Sequence, residues 1–108
     1  MARRTGKERL TAFLDHQKID RIPWVPLAGV HFGKLKNYSA SSVLTDSTKL
    51  LESIFAADQE YRPDGLPVYF DIQVEAEILG CELSWAENAT ASVKTHPLQK
   101  ISQLPEKL

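Results

Sequence analysis

Asp71 is the residue best placed to do chemistry. It directly follows the apolar run Leu66-Pro67-Val68-Tyr69-Phe70 and precedes a short helical pattern. Ligand sites of α/β proteins gather at the carboxyl ends of strands. A carboxylate there can accept hydrogen bonds from substrate N–H groups or hold a proton. The same position also suits a residue that caps the following helix, and both readings stand. His31 lies in the loop after an earlier apolar run, Ile22 to Gly29. It is again at a carboxyl end, where an imidazole either contacts substrate or is polar surface. Asp71 is therefore the candidate catalytic residue and His31 the candidate substrate-binding residue.

Other reactive side chains carry less. Glu75 and Glu77 are two residues apart, so on a helix they face different directions, and solvated roles are expected for them. His96 precedes Pro97 and reads as part of a turn. Cys81 is the single cysteine. It can form no internal disulfide and no multi-cysteine metal site, and with no flanking cation it reads as a buried structural thiol rather than a nucleophile. No phosphate loop, dinucleotide fingerprint, nucleophile elbow or zinc-ligand pair of local spacing is present. No metal site and no cofactor bound by this chain alone are expected.

The elements that must position these residues follow from capping and periodicity. Thr5 and Glu8 have capping-box spacing before a helix over about Lys7 to His16, with Leu10, Phe13 and Leu14 on one stripe. Ile22 to Gly29 favours a strand through Trp24, Val25 and Leu27, although Pro23 and Pro26 lack backbone donors and point to a bulge or an early end of pairing. Gly29 and Gly33 frame a loop, and Tyr38 to Ser42 is turn-like. Asp46 caps a helix over Ser47 to Tyr61 with an apolar face of Leu50, Leu51, Ile54, Phe55 and Ala57. Arg62-Pro63-Asp64-Gly65 stops it. Leu66 to Phe70 reads as a short buried strand, and Gln73 to Leu79 as a helix closed by Gly80 in the left-handed region. Cys81 to Trp85 and Thr90 to Lys94 alternate apolar and polar residues, as an antiparallel ribbon does. Gln99 to Leu108 can begin another helix. Trp24, Trp85 and Phe70 are expected in the core.

The element order predicts an α/β architecture with parallel pairing. A parallel sheet needs both faces covered, and two or three strands with as many helices leave an open edge. The pattern suits the opening units of something larger. The 108 residues suit one small domain, and the net charge of -1 gives no drive toward nucleic acid or an anionic membrane. No signal-peptide pattern and no apolar run of about 20 residues is present, so a cytoplasmic protein is expected.

Arg21-Ile22-Pro23 after an amphipathic helix, Pro63-Asp64-Gly65 before a strand, then Phe70-Asp71 and Val74 to Glu82 together resemble the uroporphyrinogen decarboxylase superfamily. Val93 to Pro97 resembles the segment that follows in its methyltransferase branch. The resemblance covers nearly the whole chain and implies the N-terminal third of a (β/α)8 TIM-type barrel with a small antiparallel ribbon, residues 1–108 being one partial domain. In porphyrinogen decarboxylases an aspartate at the place of Asp71 binds pyrrole N–H groups, and an arginine-rich loop grips the substrate carboxylates. Here that loop reads Pro26 to His31 and holds no arginine. Val74 to Glu82 and His96-Pro97 look more like the corrinoid-dependent methyltransferases, of methylcobamide:coenzyme M type. A full-length relative of that branch uses zinc and a corrinoid substrate, with zinc ligands in a later part of the barrel, and transfers a methyl group to a thiol.

The resemblance implies a methyltransferase-like fragment that acts on a small molecule and is inactive alone. Porphyrinogen decarboxylation is the second reading. The third is a non-catalytic module that self-associates or pairs with a separately encoded remainder of the barrel.

Overall fold

The computed structural model describes residues 3–68 and 71–98. Helix α1 spans Gly6–Leu14 and opens on the expected capping box. The Glu8 N–H donates to the Thr5 hydroxyl oxygen at 3.3 Å, and the Thr5 N–H donates to Glu8 Oε2 at 2.8 Å. The face it buries differs from the expected stripe. Arg9 and Ala12 are buried, whereas Phe13 and Leu14 are exposed. The inward face of α1 is organised around an ion pair rather than around leucine packing.

Residues 22–28, expected as a strand, form no regular element. Trp24 instead exchanges hydrogen bonds with Asp64: its N–H donates to Asp64 Oδ2 at 2.7 Å, and the Asp64 N–H donates to the Trp24 carbonyl at 2.9 Å. This reciprocal pair takes the backbone groups that a ladder would use, and Pro23 and Pro26 on either side offer no donors. A 3-10 helix over Gly29–Lys36 and helix α2 over Ala40–Thr45 stand where a loop and a turn were expected. Ser39 caps α2, its hydroxyl accepting from the Ser42 N–H at 3.2 Å. Helix α3 spans Ser47–Tyr61 as predicted. Asp46 Oδ1 accepts from the N–H groups of Thr48 and Lys49 at 2.9 and 3.2 Å.

The 3-10 helix, α2 and α3 pack together and hold most of the core. Phe32, Val43, Ile54 and Ala57 are buried, Phe32 being 2% exposed. Ser53 is buried among them, and its hydroxyl is satisfied by the Lys49 carbonyl at 2.7 Å. The core covers only part of α3, since Leu51 and Phe55 remain exposed. Trp24 and Trp85, expected in the core, are 48% and 40% exposed; Phe70 lies outside the described residues. So do Tyr69 and the stretch from Gln99 onward, while residues 66–68 form no strand.

Helix α4 spans Val74–Ile78, and Gly80 ends it at φ 95°, the left-handed conformation expected of it. Strands β1 (Glu82–Ser84) and β2 (Ser92–Thr95) pair antiparallel, with Leu83 opposite Val93. A register shift after Glu82 leaves Lys94 as the extra residue of a bulge. The Ala40 N–H donates to the Glu87 carbonyl at 2.6 Å and ties the ribbon to α2. The described residues thus form a mixed helical domain with a two-stranded antiparallel ribbon, not the parallel pairing predicted. The Cα radius of gyration is 18.8 Å, against about 13 Å for a compact domain of this length.

Phe32→Ala is expected to lower the unfolding free energy by about 3 kcal/mol, read as a shift of the urea midpoint. A change below a few tenths of that would show that Phe32 does not anchor this core.

Candidate functional site

Two candidate residues occupy different surroundings. His31 stands on the 3-10 helix, its N–H donating to the Ala28 carbonyl at 3.2 Å. It lines a cavity of about 240 Å³ with Trp24, Pro26, Ala28, Phe32 and Tyr61. Trp24 and Tyr61 meet edge to face, their ring centroids 6.4 Å apart. Such walls suit an apolar or flat ligand, with the His31 imidazole and the Tyr61 hydroxyl as the polar side-chain groups among them. No guanidinium lines this cavity, so it offers no bidentate partner to a carboxylate.

Asp71 is half-buried just before α4. Its Oδ1 accepts from the Gln73 N–H at 2.9 Å, the turn-capping contact that was one of its two readings. Oδ2 has no partner among the described residues and is the oxygen left for a ligand. No hydrogen bond or ion pair joins Asp71 to His31 among the described residues. Glu75 and Glu77 are exposed on α4, as expected.

Cys81 and His96 are brought together at the start of the ribbon, Sγ to Nδ1 being 3.8 Å. Sequence reasoning treated them separately. The signal that could have paired them was the ribbon register, because they flank the Glu82–Thr95 pair. Cys81 is half-buried rather than fully buried. Among the described residues no three His, Cys, Asp or Glu side chains converge on one point. A pair with no third donor does not make a zinc site.

The strongest electrostatic arrangement was also missed. Asp64, read as a turn residue, is buried, its side chain 2% exposed. It is ion-paired with the guanidinium of Arg9, and Arg21 Nη1 donates to its Oδ2 at 2.7 Å. Arg9 reaches Asp20 as well, through Nε at 2.7 Å and Nη2 at 2.8 Å. Burial pushes the Asp64 carboxyl up, but the Arg21 guanidinium, the Trp24 N–H and Arg9 prevail and hold it below its ordinary value of 3.8. Asp20 is held down chiefly by its hydrogen bonds from Arg9. The Tyr38 hydroxyl donates to Glu52, and that bond raises the phenol above its ordinary value.

The profile of the uroporphyrinogen decarboxylase (URO-D) family matches residues 5–107. The chain therefore belongs to the uroporphyrinogen decarboxylase family. Comparison with curated proteins and with solved structures gives no significant match. A TIM-barrel fold is implied by the family, and the described residues hold only part of one. None of their helices is long and apolar enough to cross a membrane.

Asp64→Asn is expected to destabilise the fold by about 3 kcal/mol, the low end for a buried carboxylate removed from its cations, because Arg21 is half exposed and Arg9 keeps Asp20. The carboxyls of Asp20 and Asp64 are depressed in the folded state, so their contribution is complete only above about pH 5. It is lost as pH falls below the ordinary value, where the unfolded chain takes up protons first. Urea midpoints measured from pH 6 to pH 2 should fall on the acid side, and less steeply in Asp64→Asn. Equal acid slopes in the two proteins would remove Asp64 from this role.

Proposed function

We propose that residues 1–108 supply the opening N-terminal third of a catalytic barrel of the URO-D family, and that the complete barrel is methyltransferase-like, moving a methyl group from a corrinoid to a thiol. The observation that carries the choice of branch is the His31 cavity. It is aromatic and apolar and holds no arginine, whereas a substrate with many carboxylates calls for bidentate cations. Asp71 contributes its free Oδ2 as a substrate-facing carboxylate, and His31 contacts the bound small molecule. Zinc, if used, is held by donors elsewhere in the barrel.

Catalysis needs the remaining barrel units. Ile22, Val68, Ile72, Ile78 and Leu79 are exposed, and Leu27 is 83% exposed. Apolar side chains in these numbers on so small a unit mark surfaces that pack against something else. The remainder of the barrel is the proposed cover, and the cytoplasm the proposed compartment.

The purified chain is expected to turn over neither methylcobalamin with a thiol nor uroporphyrinogen. Co-expressed with the later two-thirds of a URO-D-family methyltransferase barrel, it should restore methyl transfer, followed by the cobalamin absorbance change. Asp71→Asn should then lower the rate by about 100-fold, the loss typical of a positioned carboxylate. Decarboxylation of uroporphyrinogen by the reassembled barrel, without methyl transfer, would replace this reading with the porphyrinogen one.

A further inference from the structure

Positive charge concentrates in a cavity that neither His31 nor Asp71 lines, where the start of α1 meets the end of α3. A cavity of about 320 Å³ there is lined by five arginines, Arg3, Arg4, Arg9, Arg21 and Arg62, against one acidic residue, Asp64. General basicity does not explain this, because the whole chain carries a net charge of -1. Arg9 is engaged by Asp20 and Asp64, and Arg21 by Asp64. The side chains of Arg3, Arg4 and Arg62 have no ion pair and no hydrogen bond among the described residues. Glu8, the carboxylate that feels Arg4, is already bound to the N–H and hydroxyl of Thr5. Both oxygens of Asp64 are also engaged, Oδ1 by Arg9 and Arg21, and Oδ2 by Arg21 and the Trp24 N–H. Three guanidinium groups around one cavity repel one another, and among the described residues no carboxylate is bonded to any of the three.

The backbone at Arg62 also has a positive φ, unusual for a residue other than glycine, as it does at His16 and Asn37. Arg62 is the C-cap of α3 and is left-handed, with φ 44° and ψ 54°. Glycine or asparagine is usual where a helix ends in this conformation. An arginine there carries backbone strain, and strain of this kind accumulates at binding sites.

We propose that this cleft binds a compact oxyanion carrying two or more negative charges, held by the guanidinium groups of Arg3, Arg4 and Arg62. The planar fork of arginine matches phosphoryl and carboxylate oxygens in bidentate pairs. The charge is gathered in one cleft rather than laid out as a stripe, which selects a small anion over a nucleic acid. The site is separate from the His31 cavity and does not depend on the enzymatic reading.

Calorimetric titration of the full chain with pyrophosphate, and separately with citrate at matched ionic strength, tests this. Saturable binding of at least one probe is expected, weakening as salt is raised. Binding of pyrophosphate alone identifies a phosphoryl ligand, and binding of citrate alone a polycarboxylate. Arg62→Gly should weaken binding at least tenfold while retaining the helical circular dichroism, because glycine adopts the left-handed position without strain. Arg4→Gln should weaken it comparably. Lys94→Gln, on the ribbon, should leave it unchanged. If Arg4→Gln does not fold, Arg62→Gly decides. Absence of binding by either probe, or equal affinity in Arg62→Gly and Lys94→Gln, overturns the proposal.

Discussion

The carboxylate of Asp64 is the contact on which the arrangement of the rest depends. It gathers the guanidinium of Arg9 from α1, that of Arg21 from the segment after it, and the backbone N–H of Trp24. A buried carboxylate without such partners is strongly unfavourable, so these segments come together or the site does not form. Gly6 shows how close the approach is: a Cβ at that position would lie 2.7 Å from the Asp64 carbonyl oxygen. Only glycine lets the first turn of α1 rest on that backbone. Fixing Trp24 in turn sets its ring against Tyr61 and so forms one wall of the His31 cavity.

The helical core is the second constraint. Phe32, Val43, Ile54 and Ala57 bring the 3-10 helix, α2 and α3 together, and this places His31 on a supported element. The same packing leaves Leu51 and Phe55 of α3 outward. A barrel, as the family implies, has neighbours on both sides of each unit, and the exposed apolar side chains from Ile22 to Leu79 are where such neighbours would bear. Residues 22–28 and 66–68 form no strand. A strand is not a property of a segment alone: its N–H and C=O groups need a ladder, and at Trp24 the ladder's place is taken by Asp64.

The candidate site was legible in part. The sequence offers Asp71 as either a ligand contact or a local cap, and the structure gives its Oδ1 to the cap while Oδ2 has no partner among the described residues. His31 was seen as a loop histidine at a carboxyl end, and it lines a cavity, though on a 3-10 helix rather than after a strand. The Cys81–His96 contact was out of reach, since an alternating pattern gives two strands but not the register in which they meet.

What the sequence determined by itself is the set of features decided within one turn or one short repeat. The Thr5–Glu8 capping box, the whole span of α3 behind Asp46, the left-handed Gly80 and the existence of the ribbon all follow from residues a few positions apart. Tertiary structure alone decided the burial of Asp64 and Arg9, the loss of the first expected strand, and the arginine-lined cleft. Asp64 lies 55 residues from Arg9, 43 from Arg21 and 40 from Trp24. Propensity and periodicity act over a few residues, so a partner at that distance in the chain leaves no local pattern. Its carboxylate reads as part of a turn until folding removes the water around it, and then its charge must be matched by whatever cations the fold can bring.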